Sequence, residues 1–381
     1  MVKFLHTADW QFGMKARDVA AKGGDIRRVR LDTLGVAADV ARDRGADFVL
    51  LAGDVFEDNQ VDSQLVYDVL RQLERFSCPV YVLPGNHDHA GPGSVYERPA
   101  FASRARHVHL LLEPRAVREG AAVLLPAPIK SRTSSADPTA GLGDLSSEDG
   151  IRIGVAHGSL KIENKYKPDD FPIRLDAAAV ERLDYLALGH WHSFYQPDAR
   201  TVYSGTPETT KFGEKDSGTA AWVEIDSPGA VPRIERVSLG NLTWEQWDDA
   251  IDGNPQGLLD SWRNRVDALA DPGRVLARLA PAGRAPADFR LQVEEFAAWA
   301  RARLFYLDLR LAGLEPVLDA EAVRLAVASH PLLSGLLDDA ERLEGGDLRQ
   351  KLIAFAGDRS SAALAQETRY VLAELIAQVT A

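Results

Sequence analysis

Residues 47–54 read DFVLLAGD and residues 79–88 read PVYVLPGNHD. Each is a short apolar run that ends in glycine followed by a residue with an oxygen to donate. An apolar run of this length without alternation reads as a strand buried on both faces. Ser63 to Phe76, between the two, carries a helical pattern, and so does Ile26 to Arg44 before them. Upstream lies FLHTAD (4–9). Downstream come VHLLLE (108–113), AAVLLPAPI (121–129), IRIGVAHG (151–158), YLALGHWH (185–192) and TVYSGTP (201–207). AAWVEID (220–226) and RIERVSLG (233–240) close the series as a last pair. Strands alternating with helices predict an α/β fold around a largely buried sheet.

The bulk composition is that of a globular chain: 381 residues, 45% hydrophobic and 26% charged. One cysteine, Cys78, excludes an internal disulfide and suits a reducing compartment. The opening residues lack a basic segment followed by an apolar one, and no run approaches the roughly 18 apolar residues of a membrane helix. The expectation is a soluble, cytoplasmic protein without a membrane partner. The net charge of −12 argues against bulk binding to a polyanion, but a partner feels the local field and not the sum.

The texture changes after Leu239. Residues 274–281 (RVLARLAP), 286–303 and 304–313 (LFYLDLRLAG) read as a β-α-β unit, and the chain from Asp319 reads as helical. In the last helix Leu364, Val371, Leu372, Leu375 and Val379 form an amphipathic stripe, which is most simply a packing face. The expected division is a core over 1–242, a small α+β domain over 243–318 and a helical region over 319–381. Residues 131–150 (SRTSSADPTAGLGDLSSEDG) read as a loop, either a lid or a mobile connection.

Five apolar runs end in metal-ligand residue types: Asp9, Asp54, Asn86, His157 and the pair His190 and His192. In an open α/β sheet, ligands gather outside the carboxyl ends of the strands, so one topology brings all six side chains to one rim. Each has an ordinary alternative taken alone: an edge histidine, a helix cap, a left-handed turn. Together they point to a metal centre. Oxygens mixed with imidazoles and no thiolate suit a divalent ion such as Mn²⁺. Six ligands are too many for one closed site and suit two ions about 3.5 to 4 Å apart with one bridging carboxylate. Gly53, Gly85 and Gly189 each precede a ligand and allow a close turn. Two residues after Asp9, where a further ligand is expected, stands the neutral amide Gln11.

This series, Asp9, GD, GNHD, HG and GHWH, resembles the signature of the calcineurin-like metallophosphoesterases. HTADWQFGM (6–14), LAGDVFE (51–57), LGHWH and YSGTPE (203–208) with the later Phe212-Gly213-Glu214 resemble the SbcD-type DNA repair exonucleases. The likeness covers roughly residues 1–240 and implies a layered β-sheet core flanked by helices, with a small DNA-capping domain after it. It implies that Asp54 bridges two ions. Asp9 and His192 would hold the first, with Gln11 where the family has histidine. Asn86, His157 and His190 would hold the second. His87 would contact the scissile phosphate and assist the leaving oxygen, and Asp88 would orient His87 by accepting its other ring proton. Gln11 would leave the first ion more loosely held. Glu57 stands where branches of the family differ, so cleavage polarity is open.

By the same resemblance the chain would be a Mn²⁺-dependent DNA exonuclease with some endonuclease action on single strands. It would be a homodimer, partnered by an SbcC-type ATPase that docks on the helical tail. A phosphoesterase acting on a small substrate and a non-catalytic DNA-binding subunit are the rivals. Trp10 and Trp191, each beside a ligand, could stack on bases, but packing under the site is the simpler reading. Nine arginines against six acids in residues 263–310 make a mild surplus that a solvated face also explains.

Overall fold

The computed structural model describes residues 1–286 and 289–317, and beyond these only 334, 335 and 338. The expected helices after Asp319 and the stripe from Leu364 to Val379 lie outside the described residues. The chain divides into two compact units, with the boundary between Thr243 and Trp244.

The first unit begins with β1 (Val2–Thr7), α1 (Gly23–Asp43), β2 (Phe48–Ala52), α2 (Ser63–Leu73), β3 (Val80–Leu83), the single turn α3 (Pro99–Ala102) and β4 (Val108–Leu110). It continues through β5 (Val117–Glu119), β6 (Ala122–Pro126), β7 (Ile151–His157), β8 (Ser159–Leu160), β9 (Pro172–Ile173) and α4 (Ala177–Val180). Then come β10 (Tyr185–Gly189), β11 (Phe194–Tyr195), β12 (Thr201–Ser204), β13 (Thr219–Ile225) and β14 (Arg233–Ser238).

These strands make two six-stranded sheets, ordered β14-β13-β1-β2-β3-β4 and β11-β12-β10-β7-β6-β5. The strands β1 to β4 run parallel, as do β6, β7, β10 and β12. Antiparallel strands complete each sheet. The period of two sorts the side chains. Phe4, Phe48, Leu50, Tyr81 and Leu83 face Leu124, Ile153, Val155, Tyr185 and Ala187 across the space between the sheets. The alternate residues Leu5, Val49, Leu51, Val80 and Val82 turn outward onto the apolar faces of α1 and α2. The inner strands are therefore buried on both faces, which is why they read as unbroken apolar runs. The result is the layered α/β arrangement expected from the sequence. Asp62 caps α2 by accepting from the Gln64 and Leu65 amides at 2.8 and 3.3 Å.

The loop over 131–150 is tied to the core. Leu142 packs beneath the second sheet, Thr139 is wholly buried, and Ser134 bridges to Asp170. Its Ser- and Gly-rich composition reflects tight turns here.

The second unit contains β15 (Thr243–Trp247), α5 (Pro255–Asp267), β16 (Val275–Leu279), β17 (Ala282–Ala285), α6 (Phe289–Arg301), β18 (Tyr306–Leu309) and β19 (Gly313–Pro316). Parallel β16 and β18, joined through α6, form the β-α-β unit, with β15 as the third strand of their sheet. Trp247, Trp262, Phe289, Val293 and Phe296 fill its own core. Asp249 accepts from the Trp262 indole and from both terminal nitrogens of Arg265 at 2.8 to 2.9 Å. Among the described residues no helix is long and apolar enough to cross a membrane.

Candidate metal centre

The parallel strands of both sheets deliver their carboxyl ends to one rim. Asp9 follows β1, Asp54 follows β2, Asn86 follows β3, His157 ends β7, and His190 and His192 follow β10. Four of the seven expected ligand positions hold backbone in the left-handed region: Asp9 (φ 55°), Gln11 (44°), Asp54 (51°) and His190 (106°). Such conformations cost about 1–3 kcal/mol each and persist only where the surroundings enforce them. Here the Asp9 amide donates to the Gly53 carbonyl at 3.0 Å, the Gln11 amide to the Asp54 carbonyl at 2.9 Å, and the buried Arg30 guanidinium to the Trp10 carbonyl at 2.6 Å. Trp10 is buried beneath the site, its indole on Thr7 at 2.9 Å. Trp191 stacks on Tyr203 with 4.7 Å between ring centres. Glycine is needed at 53, where φ is +93° and a Cβ would collide with the His157 ring. A Cβ at Gly85 would collide with the Asp54 carboxylate.

Ligand atoms of Asp9, Asp54 and His157 lie within 4.8 Å of one another, and all three residues are buried. His157 Nε2 is 3.4 Å from Asp54 Oδ2 and 3.0 Å from Asn86 Oδ1. His190 Nδ1 is 3.2 Å from the same Asn86 oxygen, and the His190 amide donates to both Asp9 oxygens at 3.1 and 2.9 Å. Gln11 Nε2 meets His192 Nε2 at 3.0 Å. His87 Nε2 stands 4.0 Å from Asp54 Oδ2, on a side chain 28% exposed. The structure thus brings together all the side chains singled out in the sequence except Asp88.

The outward nitrogen of each imidazole lies on a group that can only accept. His157 Nδ1 is 2.9 Å from the Ala52 carbonyl, His190 Nε2 is 2.9 Å from Asp170 Oδ2, and His192 Nδ1 is 2.8 Å from Glu214 Oε1. An acceptor takes the ring proton, so the other nitrogen turns its lone pair inward. Three such lone pairs converge with the Asp9 and Asp54 carboxylates and the Asn86 oxygen. Converging acceptors need positive charge among them. The same demand shows in the ionisation of the residues. Burial disfavours the His157 cation, but the Asp54 and Asp9 carboxylates outweigh it and raise its pKa. Burial likewise opposes ionisation of Asp54, yet His157 and His87 outweigh it and hold the carboxyl below the usual range. Asp9 is pushed up by burial against the pull of His157 and His192. This donor set fits divalent cations: hard oxygens, imidazoles with outer partners, and no thiolate.

Two expectations are corrected. Asp88 does not orient His87. Its carboxylate accepts from the Phe56 amide (3.0 Å), the Gly85 amide (2.7 Å) and the Tyr96 hydroxyl (2.6 Å), and burial followed by Asp54 raises its pKa to about 6. It ties the GNHD turn to the interior. His87 Nδ1 instead donates to the Glu57 carbonyl at 2.8 Å, a main-chain acceptor that residue identity does not reveal. Gln11 also sits otherwise than expected. Because Glu214 takes the Nδ1 proton of His192, the Nε2 lone pair of His192 accepts from the Gln11 amide nitrogen. The amide presents its NH₂ to His192.

Asp170 and Glu214 were not singled out in the sequence as site residues. Glu214 carried one signal, the Phe-Gly-Glu that follows YSGTPE. Asp170 carried none, lying in an acidic pair of a polar loop.

The family described as calcineurin-like phosphoesterase matches residues 2–217, the stretch that supplies every side chain of this centre. The chain belongs to that family. Within the matched stretch Asp9, Asp54 and His157 form a candidate metal site. The chain is similar to the "uncharacterized metallophosphoesterase YhaO" of Bacillus subtilis (strain 168), with 28% identity over 233 residues. That alignment covers 55% of this chain and 52% of the relative, so the chain spans about half the length of the curated relative it matches. Among solved structures, TT1561 of Thermus thermophilus aligns over 62% of this chain and 99% of its own, with 11% identity and a TM-score of 0.42. A second solved structure aligns over the same shares with 10% identity and a TM-score of 0.39.

Proposed function

We propose that this member of the calcineurin-like phosphoesterase family is a two-metal DNA exonuclease acting in repair, with Mn²⁺ the ion its donor set suits best. The observation that carries the metal-dependent chemistry is the buried group Asp9, Asp54 and His157, joined through Asn86 to His190, with the outer nitrogens of His157, His190 and His192 each on an acceptor. Asp9, His192 and Gln11 would hold one ion and Asn86, His157 and His190 the other, with Asp54 shared. For Gln11 to contribute, its amide must turn its oxygen toward the ion. When bound, the ions supply Lewis-acid chemistry, lowering the pKa of water and neutralising charge on the phosphate.

The chain's own side chains do the rest. His87 is the most exposed imidazole of the cluster, with Nδ1 anchored on the Glu57 carbonyl and Nε2 4.0 Å from Asp54 Oδ2. It binds the scissile phosphate and delivers a proton to the leaving oxygen. Asp88, through Tyr96, holds the turn that presents Asn86 and His87. A polymer substrate is favoured by the presence of a second unit after the core in the chain; a small phosphoester needs none. Under this proposal the enzyme works as a homodimer with an SbcC-type ATPase.

The test compares wild type and His87→Ala on linear duplex DNA, single-stranded DNA and a nitrophenyl phosphodiester, each with Mn²⁺. DNA turnover well above that of the small ester, lost in His87→Ala, supports the reading. Equal or faster turnover of the small ester removes DNA as the substrate, and DNA binding without cleavage makes the protein a binding subunit.

A further inference from the structure

The two imidazoles of the GHWH stretch present opposite ring nitrogens to the centre. His192 turns Nε2 inward, 3.0 Å from Gln11, and gives Nδ1 to Glu214 at 2.8 Å. His190 does the reverse, with Nδ1 toward Asn86 at 3.2 Å and Nε2 on Asp170 at 2.9 Å. We infer that Glu214 and Asp170 are positioning residues, each fixing the tautomer and ring orientation of one histidine and thereby serving one of two ion positions. The inference rests on the two-metal reading.

The two carboxylates come from separate loops and are held by separate means. Glu214 is nearly enclosed, its side chain 4% exposed. Its Oε2 accepts from the Thr210 amide at 2.7 Å and its Oε1 from the Thr210 hydroxyl at 2.9 Å. That leaves one orientation in which Oε1 reaches His192. Asp170 is more open, its side chain 29% exposed. Its Oδ2 also accepts from Ser159 Oγ at 3.1 Å. The backbone around it is pinned on both sides, Ser134 donating to the Asp169 carbonyl and Phe171 to the Ser134 carbonyl, each at 2.9 Å. The 131–150 loop therefore sets where Asp170 stands.

A neutral imidazole in water exchanges its proton between both nitrogens, and only one tautomer leaves the inward nitrogen free. A carboxylate on the outer nitrogen selects that tautomer and makes the ring a stronger donor. Losing such a partner weakens metal binding by about 10- to 100-fold. Because each carboxylate touches a different histidine, the two losses separate.

The experiment is calorimetric titration of Mn²⁺ into EDTA-stripped, full-length wild type, Glu214→Gln and Asp170→Asn, with thermal melts of the stripped proteins alongside. The expected result is two binding steps in wild type. Each variant weakens a different step by about 10- to 100-fold, with melting of the stripped protein little changed. Both steps unchanged in both variants overturns the inference and leaves the two-metal reading standing. Both steps weakened together, with a lower melting temperature, makes the carboxylates general structural supports and also overturns it. A wild type that binds no Mn²⁺ overturns the two-metal reading, and this inference with it. Asp170, being partly open to solvent, carries the test should Glu214→Gln fail to fold.

Discussion

Among the described residues two imidazoles are wholly buried, and they behave in opposite ways. His6 lies on β1 in the layer between the sheets, 2.9 Å from the Tyr185 hydroxyl, and burial takes its pKa down to about 3. His157 lies where β7 ends at the rim, and there the Asp54 and Asp9 carboxylates reverse the effect of burial. The layer between the sheets excludes charge, whereas the rim assembles it. Burial alone does not distinguish a structural histidine from a candidate ligand; the charge of its neighbours does. The comparison also explains why a fold that is nearly all apolar between its sheets can carry a polar centre at one end. Strand ends are where backbone leaves the ladder, so polar side chains and loop carbonyls can meet there without breaking sheet hydrogen bonds.

The comparison can be broken from the rim side first. Asp54→Asn removes the shared carboxylate that faces both His157 and His87. Phosphoesterase activity is expected to fall to background, and Mn²⁺ titration should show both binding steps lost. Retained tight binding of two ions would mean that the charge at the rim comes from elsewhere. His87→Ala should lower turnover by about 10²- to 10⁴-fold while leaving metal affinity unchanged, as for a proton donor that is not a ligand. Loss of metal binding in that variant would make His87 a ligand instead.

The interior side is tested by pH. His6 has a folded pKa of about 3 against an ordinary 6.5, so the unfolded chain takes up its proton first as pH falls. The stability owed to neutral His6 is complete above pH 6.5 and is lost progressively below it, by about 3 kcal/mol at pH 4.5. His6→Gln should flatten that part of the pH profile, measured by urea unfolding at pH 7 and pH 4.5. An unchanged slope would mean that other groups set the acid sensitivity. Metal should act the other way. Mn²⁺ at about a hundred times its dissociation constant should stabilise the fold by about 3 kcal/mol at neutral pH, and EDTA should remove the gain. The smallest effect is expected from Gln11→His. Exchanging the amide for an imidazole should tighten one Mn²⁺ step by about tenfold or less, since outer partners alone move affinity by 10- to 100-fold. No change in either step would place residue 11 outside the ligand set.

Much of the centre was legible in the sequence because its logic is local. Apolar runs such as DFVLLAGD mark strands buried on both faces, and parallel strands send their last residues to the same edge. That reasoning needs no coordinates, and it located Asp9, Asp54, Asn86, His157, His190 and His192 on the rim. The error over Asp88 has a physical origin. Adjacent residues in a tight turn point different ways, and a buried carboxylate goes to the strongest donors within reach. Here these are two amides and the Tyr96 hydroxyl, not the neighbouring ring.

What the sequence determined by itself, then, is which residue types stand at strand ends, and from that the family and a candidate donor set. Only the tertiary structure decided which nitrogen of each imidazole faces inward, and that Gln11 turns its NH₂ to His192. Those choices depend on acceptors far along the chain: Ala52 for His157, Asp170 for His190, Glu214 for His192 and the Glu57 carbonyl for His87. Hydrophobic periodicity reports the direction of a side chain within its own strand. It carries no information about a carbonyl or carboxylate that reaches the site only when separate loops are packed against the two sheets.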